Sequence, residues 1–212
     1  MKTLELSGRL FDVPMDLLGH KAINWLTLWT TCFTACTASV PGQRESLIKM
    51  SKYALNLLKK QLSDIQQDDS LFSVDLIDND FFKWEIWFVG PAGTLYENGS
   101  FHAVLNFPDD FPNNPPTMKI TEEMWHPNIY ADGTVCISIL HPPGTDEFNE
   151  QETADERWRP ILGVETIMVS FMSLLSSPNV DSPANVDAAI EMKTNPEVYK
   201  RKVRKLVEKT LG

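Results

Sequence analysis

Apolar residues along this chain follow two periods in succession. Leu47, Met50, Ala54, Leu58, Leu62 and Ile65 recur at steps of three and four, which gathers them on one stripe of a helix. The spacing predicts an amphipathic helix from about Glu45 to Gln66, with Lys49, Lys52, Lys59 and Lys60 on its outer side. A basic side of this kind is either a plainly solvated face or a docking surface. The period then becomes two. Trp84, Ile86 and Phe88 alternate with Lys83, Glu85 and Trp87, and Phe101, Ala103, Leu105 and Phe107 alternate with His102 and Asn106. Alternation places successive side chains on opposite faces of a strand. Turn formers at Gly90-Pro91-Ala92-Gly93 and Asn98-Gly99-Ser100 punctuate the runs, so the stretch from about Ser73 to Thr121 is a predicted antiparallel meander.

Four prolines between Phe107 and Pro116 each remove a backbone donor, which rules out a central strand and predicts a rigid crossing loop. Beyond it, Val164 to Leu175 has apolar residues at helical spacing with small or hydroxyl residues among them, the pattern of a buried helix, and Ser177-Pro178-Asn179 stops it. A last helix is predicted with Asn195 as its N-cap and Pro196 in the first turn. Val198, Val203, Leu206 and Val207 are expected inward, with Lys205 and Lys209 toward its negative end. There is no internal repeat or low-complexity tract.

A length of 212 residues suits one domain with an appendage. The net charge of −10 disfavours a nucleic-acid binder, which needs a basic footprint. Three cysteines, Cys32, Cys36 and Cys136, form neither a disulfide framework nor a zinc set, and suit a reducing compartment. Residues 1–45 differ from the rest. No charge occurs from Ala22 to Gln43, but five threonines, Asn24 and Ser39 dilute the apolar content, and Met1 to Lys21 balances acids against bases. A membrane anchor or signal peptide is therefore disfavoured. Two readings of the extension stay open: a poorly ordered appendage, or a start assigned upstream of Met50, which lies within the first helical pattern.

Chemistry concentrates around Cys136, the end of the run Trp125-His126-Pro127-Asn128-Ile129-Tyr130-Ala131-Asp132-Gly133-Thr134-Val135-Cys136. A lone cysteine is more often a small hydrophobe than a catalyst, so the argument rests on its setting. That setting comprises Val89-Gly90-Pro91, Thr94-Leu95-Tyr96-Glu97, Phe107-Pro108-Asp109-Asp110-Phe111-Pro112, Pro115-Pro116, His126-Pro127-Asn128 and Trp158-Arg159-Pro160. Together these motifs resemble the ubiquitin-conjugating (E2) enzymes over roughly Leu47 to Gly212. The resemblance implies an α+β fold: an N-terminal helix, a four-stranded antiparallel meander, an irregular segment bearing the cysteine, and three C-terminal helices, over residues 46–212. It also implies that Cys136 accepts ubiquitin as a thioester from an activating enzyme and passes it to a lysine amine. Sulfur suits this because thiolates both attack and leave readily.

The resemblance assigns further expectations. Asn128 is an electrophilic aid whose amide donates to the developing oxyanion, or else it only holds its turn. His126 and Pro127 are read as structural, in preference to a cysteine–histidine dyad that uses His126. Ser182, in Asp181-Ser182-Pro183-Ala184-Asn185, either orients the incoming amine or is a turn residue. Between Cys136 and Trp158 stand Asp146, Glu147, Glu150, Glu152, Asp155 and Glu156 against Arg157. This resembles the acidic-loop subgroup, most like its G-type branch, which builds degradation-type ubiquitin chains. Carboxylates near a thiol disfavour thiolate, so the loop is read as attracting basic partners rather than activating the cysteine. Docking of activating enzyme and ligase, expected to be of the RING type, falls to Lys49, Lys52, Asn113, Pro160 and Ile161. Asn113 departs from the large apolar residue usual at its position.

No metal or bound cofactor is required by any motif, ATP being consumed by the activating enzyme. A cytoplasmic location is expected, with the nucleus or the cytosolic face of the endoplasmic reticulum as alternatives. The competing readings are an enzyme for another ubiquitin-like modifier, a non-catalytic ubiquitin-binding module of the same fold and, more distantly, a cysteine hydrolase.

Overall fold

A computed structural model describes residues 2–6, 9–13, 41–67, 71–145 and 152–211, and the chain divides into two compact units, Met1–Arg44 and Glu45–Gly212. In the first, β1 (Lys2–Leu6) and β2 (Arg9–Val13) form an antiparallel hairpin with Lys2 opposite Val13 and Leu6 opposite Arg9. No element is expected there from the sequence. Among the described residues no helix is long and apolar enough to cross a membrane; most of the uncharged stretch, residues 22–40, lies outside them.

Helix α1 (Pro41–Gln67) begins before the expected Glu45, because its first turn is polar and carries no hydrophobic period. The four-stranded sheet follows as β3 (Phe72–Leu76), β4 (Lys83–Val89), β5 (Ser100–Asn106) and β6 (Thr117–Ile120), neighbours in that order and all antiparallel. Register puts one apolar face in layers: Phe72, Phe88 and Phe101 in one row, Trp84, Leu105 and Met118 in another. All six are buried. Helix α2 (Val164–Ser176) supplies Val164, Ile167, Met168, Phe171 and Leu175 to the same core. Phe171 meets Phe88 edge-to-face with ring centroids 5.5 Å apart, a geometry that aligns ring edge with ring face. Helices α3 (Val186–Thr194) and α4 (Pro196–Lys209) complete the α+β architecture.

Two helix ends show how local chemistry is shared between elements. Gly163 stands at the N-cap of α2 with no side chain to offer, and Gln61 Oε1 of α1 accepts the Val164 N–H instead, at 3.0 Å. That satisfies one orphan donor. At α4, Asn195 holds the N-cap position as expected, but its side chain makes no cap bond and donates to Thr194 Oγ1. Asn195 also ends α3, donating its N–H to Glu191 O. Val198, expected inward, is 42% exposed, and its neighbour Tyr199 takes the buried place at 2%.

The segment leading to Cys136 is laid against β6. Ile120 N–H donates to Gly133 O and Val135 N–H to Met118 O, both at 2.9 Å, so residues 133–135 run as a short added strand. Gly133 makes this possible. Its φ is +90°, and a Cβ there would stand 2.2 Å from Ile120 O. Substituting Gly133→Ala should therefore lower stability by at least about 1 to 2 kcal/mol, the cost of the left-handed backbone alone. Urea unfolding would read this as a lower midpoint with an unchanged slope.

Candidate active site

Cys136 is half-buried and lies beyond the bonded part of that added strand, its N–H donating to Asn128 O at 2.9 Å. The sulfur opens on a cavity of about 180 Å³ lined by Asn128, His141, Glu152, Asn179 and Ser182 among others. Of the candidates named from sequence, Cys136, Asn128, Ser182, Glu152 and Glu156 thus meet in one place.

The wall of the cavity is set by His126 and Asn128. His126 is fully buried; its Nε2 faces Leu174 O at 3.2 Å and its Nδ1 accepts the Asn128 N–H at 2.9 Å. A carbonyl only accepts, so Nε2 carries the proton and Nδ1 is the free lone pair. Burial pushes the imidazole down to about 4, against the opposing pull of the Leu174 carbonyl. Both nitrogens are occupied by backbone, and the ring is spent on holding this turn. The Asn128 amide is also committed: Oδ1 accepts Asn179 N–H at 2.9 Å and Nδ2 donates to Asn179 O at 2.7 Å. Its second proton has only Ser182 O, at 3.4 Å. That long bond is the one the amide can exchange for an oxygen in the cavity.

Ser182 is exposed, and its N–H donates to Asn179 Oδ1 at 3.3 Å. Pro127 O accepts Asn185 N–H at 2.8 Å, joining the His126-Pro127-Asn128 turn to the start of α3, where Asn185 Oδ1 accepts Ala188 N–H. On the near side of the sulfur, Tyr130 is pushed up, first by the charge of Cys136.

The acids after Cys136 do not act alike. Asp146, Glu147 and Glu150 lie outside the described residues, Asp155 and Glu156 are exposed, and Glu152 is buried. Glu156 closes a turn by accepting the Thr153 N–H and hydroxyl, which hold its carboxyl below the usual range. Glu152 departs from the reading of all six acids as a field that attracts basic partners. Its carboxylate sits 2.8 Å from His141 Nδ1 and 3.2 Å from Arg157 Nε, and His141 Nε2 lies 3.7 Å from Cys136 Sγ. The bond to Cys136, followed by those to Glu152, raises His141 above 6.5, against burial that lowers it. Neither His141 nor the Glu152–Arg157 pair was singled out from sequence. A histidine five residues past the nucleophile was visible, but which acid turns inward across the loop was not.

The docking candidates lie on other surfaces. Lys52, Asn113 and Pro160 are exposed, as is Ile161 at 84%, while the Lys49 side chain lies outside what is described. Trp158 is buried, and its Nε1–H donates to Pro112 O at 2.7 Å, tying the loop of Asn113 to the loop of Pro160 and Ile161.

Residues 57–207, which hold the sheet, the cavity, the next two helices and all but the end of the last, match the family described as ubiquitin-conjugating enzyme. The chain belongs to this family. It is 53% identical to ubiquitin-conjugating enzyme E2 15 of Schizosaccharomyces pombe over 157 residues, covering 73% of this chain and 93% of the relative. Identity to ubiquitin-conjugating enzyme E2 G2 of Bos taurus is 43% over 153 residues, with 72% and 92% covered. A solved Toxoplasma gondii ubiquitin-conjugating enzyme E2 domain matches with a TM-score of 0.61 at 30% identity, covering 72% of this chain and 96% of that one. The protein is thus an E2 transferase, and its general partners are ubiquitin, an activating enzyme and ligases.

The buried His126 makes an acid-stability prediction for this E2. Its folded value lies below the unfolded 6.5, so its contribution is present above 6.5 and is lost as pH falls toward about 4. Between pH 7.5 and pH 5 the loss should be about 2 kcal/mol. Denaturant midpoints measured across that range should fall in the wild type and change much less in His126→Gln.

Proposed function

We propose that Cys136 carries ubiquitin as a thioester and that a lysine amine then takes it. The observation that carries this reading is the half-buried thiol facing a cavity that also holds the Asn128 amide. Charging forms the bond from sulfur to the ubiquitin carboxyl carbon and releases the thiol of the activating enzyme. Aminolysis then forms the amide and returns Cys136. In both steps the carbonyl oxygen becomes an oxyanion, and the Asn128 Nδ2–H bound loosely to Ser182 O is the donor within the cavity suited to meet it. Ser182 stands at the rim, where its hydroxyl helps to orient the incoming amine.

The exposed acids Asp155 and Glu156 support attraction of a basic partner toward the site, with Asp146, Glu147 and Glu150 adding to the same field. A RING-type ligase docks on Lys49, Lys52, Asn113, Pro160 and Ile161, and the products are degradation-type chains. Similarity to the named E2 G2 supports this choice of branch. No cofactor is bound by the protein itself, the activating enzyme consuming the ATP.

Incubation with activating enzyme, ATP and ubiquitin should give a thiol-labile adduct on the wild type. In Cys136→Ser it should be absent or replaced by a thiol-resistant ester; no adduct on the wild type would overturn the reading. Asn128→Ala should slow single-turnover discharge to free lysine by about 10²-fold, with charging reduced less. Neutralising Asp146, Glu147, Glu150 and Asp155 together should lower chain elongation more than charging, and added salt should mimic it. Equal loss of both would overturn the attraction.

A further inference from the structure

Three charged or titratable side chains line up behind the sulfur: His141, then Glu152, then Arg157. Glu152 and Arg157 are both buried, at 9% and 8% exposure, so their charges face each other rather than water. A buried charge of this kind is stable only when paired and bonded. The paired carboxylate can only accept, and it lies 2.8 Å and 3.0 Å from His141 Nδ1 through its two oxygens. Nδ1 must therefore carry the ring proton. In the neutral ring this leaves the lone pair on Nε2, and Nε2 is the atom 3.7 Å from Cys136 Sγ. The tautomer is fixed by the loop, and it aims an acceptor at the thiol.

We propose that His141 is the base that takes the Cys136 proton during thioester exchange, with Glu152 as its positioning residue and Arg157 holding the carboxylate. This rests on the reading that Cys136 carries ubiquitin. As the incoming carbonyl is attacked, the Cys136 S–H bond breaks, the proton passes to Nε2, and the electron pair left on sulfur forms the new S–C bond. The S–C bond to the activating enzyme breaks, and the departing thiolate recovers the proton from Nε2. Protons balance, and nothing is oxidised.

The groups that face His141 are Cys136 from the nucleophile segment and Glu152 and Glu156 from the loop, with Arg157 behind Glu152 and the polar Asn179 and Ser182 across the cavity. Tyr130 completes the set around the sulfur. The Glu152 carboxylate stabilises the imidazolium formed when Nε2 takes the proton, which is the same influence that raises His141 above its ordinary value. A base held ready by an acceptor on its far nitrogen follows the general logic of nucleophile activation. The acid nearest the base thus aids the thiol through the histidine, although carboxylates directly beside a thiol oppose its ionisation.

The test separates the shared proton from the function. Alkylation by iodoacetamide is followed from pH 5 to pH 10 on the full chain, and the rate is read on the Cys136 peptide by mass spectrometry, apart from Cys32 and Cys36. His141 is part-exposed, so His141→Gln should fold normally. At pH 7 that variant should react about tenfold more slowly than the wild type. Imidazole NMR supplies a second readout: His141 should titrate above 6.5 in the wild type and move down in Glu152→Gln, a change that loop anchoring alone would not produce. Superimposable alkylation profiles would overturn the proposal. So would a profile change accompanied by equal charging rates in rapid-quench transfer from the activating enzyme at pH 7. An altered alkylation profile with no ubiquitin adduct on the wild type would strike the thioester reading and keep the shared proton.

Discussion

The buried imidazole of His126 joins two parts of the molecule that the chain brings together from 48 residues apart, the nucleophile turn and the end of α2. One nitrogen takes the Asn128 N–H and the other gives its proton to the Leu174 carbonyl. A backbone donor and a backbone acceptor, both removed from water, are satisfied by a single ring, and each would cost about 1 to 3 kcal/mol if left unmade. The position of Asn128 follows from that pin. The position of Cys136 follows in turn, because its N–H donates to Asn128 O. Asn128 also fastens the Asn179–Ser182 turn through its amide, so the far wall of the cavity inherits the same reference point.

Two histidines near one sulfur are thus sorted by their surroundings. His126 has lost its water and meets only backbone dipoles, so the neutral ring is favoured across the physiological range. His141 keeps partial contact with solvent and faces a thiol and a carboxylate, which favour the charged ring. The residue closer in sequence to Asn128 is therefore inert to protons, and the one across the cavity is responsive. Sequence proximity to a motif was a poor guide to which would be which.

Much of the fold was legible because its signals are local. The two-residue period of Trp84 to Phe88 and Phe101 to Phe107 gives the central strands, and their turns are rich in glycine. The end of α2 was readable from Ser177-Pro178-Asn179. Other features depended on distant partners. Gln61 capping α2, Tyr199 displacing Val198 from the buried face and Glu152 turning inward are choices made by tertiary packing, and no local period distinguishes them from their neighbours. The β1–β2 hairpin has short strands whose alternation is interrupted by charge, which weakens its signal. Within the site, Cys136, Asn128 and Ser182 could be named because the motifs around them resemble those of the ubiquitin-conjugating enzymes. The His141–Glu152–Arg157 line could not, because it spans a largely polar loop in which several acids stand close together.

The bond between His141 and Glu152 also has a meaning for loop length. It closes the chain on itself across residues 142–151, so the chain between the two anchors has both of its ends fixed at the cavity. The entropy of closing such a loop grows only as the logarithm of its length, about 0.6 kcal/mol for each doubling. Residues can accordingly be gained or lost between the two anchors at little cost to the folded state, provided that the anchors themselves are kept. The sequence between the anchors is free to diverge, while the geometry at the sulfur stays constant.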